Sequence, residues 1–117
     1  MKISELLSER NVPVVAVDSD GWITHVNDAF SEVFGWTREE VLGRHVTCLI
    51  PPHLRDAHHL GFSRFLLTER PTLLDRPITL RAVAKDGREF DAEHRIQAEK
   101  SEGRWTFAAT IRPLPGR

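Results

Sequence analysis

Ile78-Thr-Leu-Arg-Ala-Val-Ala-Lys85-Asp-Gly-Arg-Glu-Phe90-Asp-Ala-Glu-His94-Arg-Ile-Gln-Ala98 is the stretch that decides the fold of this chain. Ile78, Leu80, Ala82 and Ala84 alternate with Thr79, Arg81, Val83 and Lys85. Past Asp86-Gly87 the period of two resumes, with Phe90, Ala92, His94, Ile96 and Ala98 against Asp91, Glu93, Arg95 and Gln97. Successive strand residues point to opposite faces, so the pattern predicts two antiparallel strands with one apolar and one solvated face. Asp-Gly favours the left-handed backbone of a tight hairpin. Ser101-Glu-Gly103 then turns into a final strand that places Trp105, Phe107, Ala109 and Ile111 on one face.

Working back toward the N-terminus, Val14 to Val17 is an apolar run suited to a buried strand, set off by Pro13. Asp20-Gly21 is a two-residue hairpin signal, after which Trp22, Thr24 and Val26 alternate with Ile23 and His25. Asn27 is placed to cap a short helix carrying Ala29, Phe30, Val33 and Phe34 and closed by Gly35. Thr37-Arg-Glu-Glu40 is a capping box for a second short helix that stops at Gly43. Pro51-Pro52 opens the longest predicted helix, to about Thr68 or Glu69, with Leu54, His58, Phe62, Phe65 and Leu66 on its inward stripe. Ile3, Leu6 and Leu7 predict a short amphipathic helix at the start. The sum is an α+β fold: an antiparallel sheet of about five strands, short helices, and one long helix packed on one face. One domain is expected over residues 1–117, with an N-terminal helix at 1–11, a core at 12–113 and a frayed end at 114–117.

Charge and composition narrow the function. The formal net charge is −1 and no Lys/Arg run forms a patch, which argues against nucleic-acid and anionic-membrane partners. No apolar stretch approaches the roughly 20 residues of a membrane span. The single cysteine, Cys48, fits a reducing, cytoplasmic setting. Phosphate-binding glycine loops, HExxH and GxSxG are all absent, so the sequence predicts no enzyme. Glu39 and Glu40 are explained by helix capping, and Glu89, Asp91 and Glu93 fall on the outer strand face. His25, His45 and Cys48 lack metal-ligand spacing, and His53 and His59 lie off the inward stripe.

Four segments in order resemble the PAS family of sensory domains. They are Asp18-x-Asp-Gly-x-Ile-x-x-Val-Asn-x-Ala-Phe30, Phe34-Gly-Trp-x-x-Glu-Glu-Val-Leu-Gly43, Leu49-Ile-Pro-Pro52 with Arg55 and His58, and Lys85-Asp-Gly-Arg-Glu-Phe90. The departure is at the end, where Ile111-Arg112 runs into Pro113 instead of the Arg-Asp-Ile-Thr type closure of the family. The resemblance implies a PAS fold and a signal-transduction role, either binding a small ligand or relaying signals through protein contacts.

Within the family, the long-helix segment is most similar to the haem-type oxygen sensors. That resemblance implies His58 as an axial iron ligand and Arg64 near a haem propionate. Phe62, Phe65, Leu73, Leu80, His94, Ile96 and Phe107 would line the pocket, with His94 on the distal side as hydrogen-bond donor or sixth ligand. Ile78 stands where those sensors carry a distal Arg. The competing reading makes His58 a hydrogen-bonded core residue and gives His94 another partner. Cys48 comes too late after Gly43-Arg44 to match the photoreactive cysteine of the flavin-binding light sensors, so flavin is not expected. Another alternative is a ligand-free module that forms a homodimer or docks a signalling partner, with Ile3, Leu6 and Leu7 on the outer sheet face of its own or a second subunit.

Overall fold

A computed structural model describes residues 3–55 and 77–115. The strands are β1 (Val14–Val17), β2 (Ile23–Val26), β3 (Ile78–Val83), β4 (Glu89–Ser101) and β5 (Arg104–Pro113), and the helices are α1 (Ile3–Leu7), α2 (Asp28–Phe34) and α3 (Arg38–Val41). They form one antiparallel sheet in the order β2-β1-β5-β4-β3. The inner face carries Val15, Val17, Ala92, Phe107, Ala109 and Ile111, packed on Phe30, Phe34, Val41 and Leu49. α1 lies on the outer face, where Ile3 and Leu6 bury against Ala16 and Ala108. Within the single chain the N-terminal helix covers its own sheet, one of the two placements open from sequence.

Local chemistry explains the short helices. Asn27 accepts from the Phe30 amide at the start of α2, and Gly35 ends it in the left-handed conformation. The capping box of α3 is complete in both directions between Thr37 and Glu40.

The turn at Asp20-Gly21 differs in kind from the two-residue hairpin expected there. Asp18 N–H donates to Trp22 O at 3.0 Å and Gly21 N–H to Asp18 O at 3.0 Å, enclosing a three-residue loop. The β3–β4 hairpin repeats this with Ala84 N–H on Arg88 O at 2.9 Å and Gly87 N–H on Ala84 O at 3.0 Å. Each Asp-Gly thus ends a three-residue loop, with Gly left-handed at its last position. The two-residue turn is Glu102-Gly103, with φ of 52° and 78° between the paired Ser101 and Arg104.

β2 also departs from strict alternation. Ala16 pairs with His25 but Val17 pairs with Ile23, so Thr24 is an extra, unpaired residue. A bulge of this type flips the phase of the strand. Ile23 and Val26 therefore both turn inward, 2% and 0% exposed, although their spacing of three would put them on opposite faces of a regular strand.

After α3 the chain passes through a 3-10 turn at Val46–Leu49 and another at Pro52–Leu54. The Arg55 guanidinium donates Nε–H to Thr47 O and Ile50 O, both at 3.0 Å, closing the first of these turns. Leu54, expected on an inward helical stripe, is 36% exposed. Pro52–Leu54 turns with three residues per turn instead of 3.6, so Leu54 does not take the direction that α-helical spacing predicts. The remainder of the expected long helix lies outside the described residues. At the other end, Leu114 is not frayed: its N–H donates to Asp91 O at 2.9 Å.

Candidate functional site

On the inner sheet face, His94 sets a polar side chain among apolar neighbours. In β4, His94 sits directly across from Ile78 of β3 and Ile111 of β5. Residues opposite one another share a face, so the imidazole is set among two isoleucines, with Ala92 and Ile96 two positions either side. Its Nδ1 lies 3.1 Å from the Ala92 carbonyl oxygen. A carbonyl only accepts, so Nδ1 carries the proton. Burial pushes the imidazole pKa down, opposed by that carbonyl bond, and the ring is held neutral. Nε2 is then a lone-pair nitrogen that can ligate a metal or accept a hydrogen bond. Donation from Nε2, the other distal role expected from sequence, belongs to the alternative tautomer or to the imidazolium.

Ile96 and Ala98 continue the half-buried inner face beside His94, while Leu80 reaches the sheet margin 39% exposed. Phe107, opposite Ala98, is 8% exposed and stacks with Trp105 at 6.2 Å between centroids. His58, Phe62, Arg64, Phe65 and Leu73 lie outside the described residues. His53 is exposed, in keeping with the solvated role expected of it.

The Phe34-Gly-Trp and Lys85-Asp-Gly-Arg segments meet at a structural junction. Lys85 N–H donates to Phe34 O at 2.8 Å, and the Arg88 guanidinium donates to Val33 O at 2.9 Å. Two carbonyls at the C-terminal end of α2 are thereby satisfied by the β3–β4 hairpin. The Lys85 ammonium also pairs with Glu40 of the α3 capping box. Two cations approach the Trp36 ring, the Arg44 guanidinium at 4.6 Å and the Lys85 ammonium at 5.5 Å from ring centroids. A groove of about 410 Å³ follows this seam past Val33, Gly35, Ala84 and Lys85. Its backbone acceptors at residues 33 and 34 are engaged by the hairpin.

Glu40 reports on this junction. The Lys85 hydrogen bond first, and the Thr37 backbone N–H next, hold its carboxyl down to about 2 from an ordinary 4.5. A lowered pKa in the folded state contributes stability above the ordinary value and loses it as pH falls from about 4.5 through about 2. Lys85→Met should move the Glu40 midpoint upward in a carboxyl NMR titration. An unmoved midpoint would mean that Lys85 does not hold it.

Cys48 is half-buried on the core, and burial raises its thiol pKa against the lowering influence of Arg44 and Arg55. Burial thus disfavours the thiolate, the nucleophilic form. Glu89, Asp91 and Glu93 lie on the outer face as expected and pair with arginines: Arg81 to Glu89 at 3.5 Å and Asp91 at 3.2 Å, Arg112 to Glu93 at 3.1 Å. His45 is a fastener of the β1–β2 loop, with Nε2 2.9 Å from Asp20 O and Nδ1 3.1 Å from the Thr47 hydroxyl.

Sequence reasoning assigned Asn27 only a capping role. Its carboxamide makes four hydrogen bonds, accepting from Val14 N–H at 3.0 Å and Phe30 N–H at 2.9 Å and donating to Glu9 O at 3.0 Å and Val12 O at 2.9 Å. The one available signal was the choice of Asn, whose amide adds two donors that a capping Ser, Thr or Asp lacks.

No described helix is long and apolar enough to cross a membrane. A PAS fold family model matches residues 2–113. An uncharacterised protein of Azorhizobium caulinodans is 36% identical over 105 residues, covering 89% of this chain and 14% of its own length. Sensor protein FixL of Bradyrhizobium diazoefficiens is 27% identical over 101 residues, covering 86% of this chain and 20% of its own. The chain thus spans a seventh to a fifth of these two relatives. The crystal structure of a Desulfitobacterium hafniense PAS domain superposes with a TM-score of 0.74 at 17% identity, covering 95% of this chain and 99% of that one. A family match over nearly the whole chain, on a five-stranded sheet of this order, places the protein in the PAS family of sensory signal-transduction domains.

Proposed function

We propose that this domain senses a small ligand held against the inner face of its sheet and passes the ligand state on through protein–protein contact. The observation that carries this reading is His94, a half-buried neutral imidazole among Ile78, Ile96 and Ile111 with its lone pair on Nε2. A polar group on an apolar sheet face needs a partner, and a ligand is the functional form of one. The relation to a sensor protein supports the same role. Ligand binding would favour one of two packings over the sheet, since only differential affinity shifts an equilibrium. Output through a second copy or a signalling partner is in keeping with the relation to a sensor protein.

The specific form of this reading is a haem-based gas or redox sensor. The lone-pair nitrogen of His94 favours it, because such a nitrogen is a metal-ligating one. His58 would hold the iron and Arg64 would pair with a propionate, with Phe62, Phe65, Leu73 and Ile96 supplying apolar contact. Bound haem supplies an iron whose electronic state responds to gases and to reduction. The chain's contribution is to hold, orient and keep water from it.

An absorption spectrum of protein expressed with ample haem is the test. A stoichiometric Soret band that shifts on reduction and is lost in His58→Ala is the expected result for haem. Full retention of haem in His58→Ala would refute His58 as its ligand. A colourless protein that refuses added haem would remove the haem form and leave the small-ligand sensor to be tested by metabolite-induced stabilisation.

A further inference from the structure

We infer that the Asn27 carboxamide is a releasable tie that couples α1, on the outer face of the sheet, to α2 in the inner core. Its oxygen accepts from Val14 N–H of β1 and Phe30 N–H of α2, and its nitrogen donates to Glu9 O and Val12 O of the segment that leads out of α1. Only one orientation of the amide satisfies two donors on one side and two carbonyls on the other. One side chain therefore reads the positions of three pieces of backbone at once.

α1 is otherwise held by its docked apolar side chains and one hydrogen bond at its start. It is five residues long, well short of the length at which an isolated helix persists, so its shape depends on docking. Its apolar footprint is Ile3 and Leu6 on two alanines, Ala16 and Ala108, with Leu7 partly buried. At its start the Glu99 carboxylate accepts from Ile3 N–H at 2.7 Å. Losing the Asn27 donors should free the segment after α1 while the sheet, held by its own ladders, stays closed. Because Phe30 of α2 is at the centre of the inner cluster, a displacement of α2 would be felt at residues 9–12 through the same amide.

Two substitutions separate this role from simple capping. Asn27→Asp keeps an oxygen for Val14 and Phe30 but turns a second oxygen toward two carbonyls. Asn27→Ser keeps a capping hydroxyl and is too short to reach residues 9–12. Amide hydrogen exchange of the full chain should show α1 and Glu9 losing protection by about tenfold or more in both variants, with the paired amides of β4 and β5 changed far less. Trypsin cleavage after the exposed Arg10 should accelerate in parallel. Unchanged α1 exchange, or equal loss in α1 and the β4–β5 ladder, would overturn the inference, the second because it signals global destabilisation. Coupling is reciprocal, so removing residues 1–10 must lower protection in α2. An α2 indifferent to that deletion would also overturn it.

Discussion

Replacing Phe30 with alanine should destabilise the domain by about 3–5 kcal/mol. Phe30 is 0% exposed and stacks on Phe34 at 4.6 Å between centroids, and Phe34 meets Phe90 of β4 at 5.4 Å. This aromatic run links α2 to the sheet through the middle of the core. Truncation removes the first member and leaves a cavity that Val41 and Leu49, also buried, cannot collapse to fill. Domains of this size are stable by roughly 5–15 kcal/mol, so a measurable unfolded fraction is expected at the upper end of the loss. Urea denaturation gives the change in midpoint at constant slope. A loss below about 1 kcal/mol would mean that α2 does not pack at the centre of the core.

Gly21→Ala is the second large effect, at about 2–3 kcal/mol. Gly21 closes the β1–β2 loop at φ 88°, where a Cβ is strained, and an added Cβ would sit 2.6 Å from His45 Nε2. The ring cannot retreat freely, because that nitrogen bonds Asp20 O and the other side of the ring engages Thr47. The cost therefore combines backbone strain with lost hydrogen bonds. A double-mutant cycle separates them: in a His45→Ala background the clash is gone and about 1 kcal/mol of strain should remain. Equal costs in both backgrounds would show that the ring is not what opposes the new methyl.

What the sequence disclosed depended on the range of the interaction. The Asn27 cap, the Thr37–Glu40 box and the Gly35 stop are contacts within a few residues, and each was legible. The three C-terminal strands were legible because thirty-odd residues keep one period. The bulge at Thr24 was not, since a single extra residue is invisible until the partner strand fixes the register. Asp-Gly announced turns but not their length, which is set by how the flanking strands pair. At the candidate site, parity alone put His94 on the inner face, whereas its tautomer required the Ala92 carbonyl to be located. The two further bonds of Asn27 reach back 15 and 18 residues, and no local pattern encodes them.

The strand order bears on how the chain is made. β1 and β5 are neighbours within the sheet, so Val14, synthesised well before Thr110, must wait for it. β1 can pair early only with β2, and a two-stranded ribbon is marginal in water. Such distant pairings raise contact order and slow folding. During synthesis the first half of the domain therefore holds Phe30, Phe34 and Val41 with most of their sheet still missing. A chain cut before β5 would keep its caps and hairpin signals yet have no closed sheet to fold on, making β5 the strand whose arrival commits the domain.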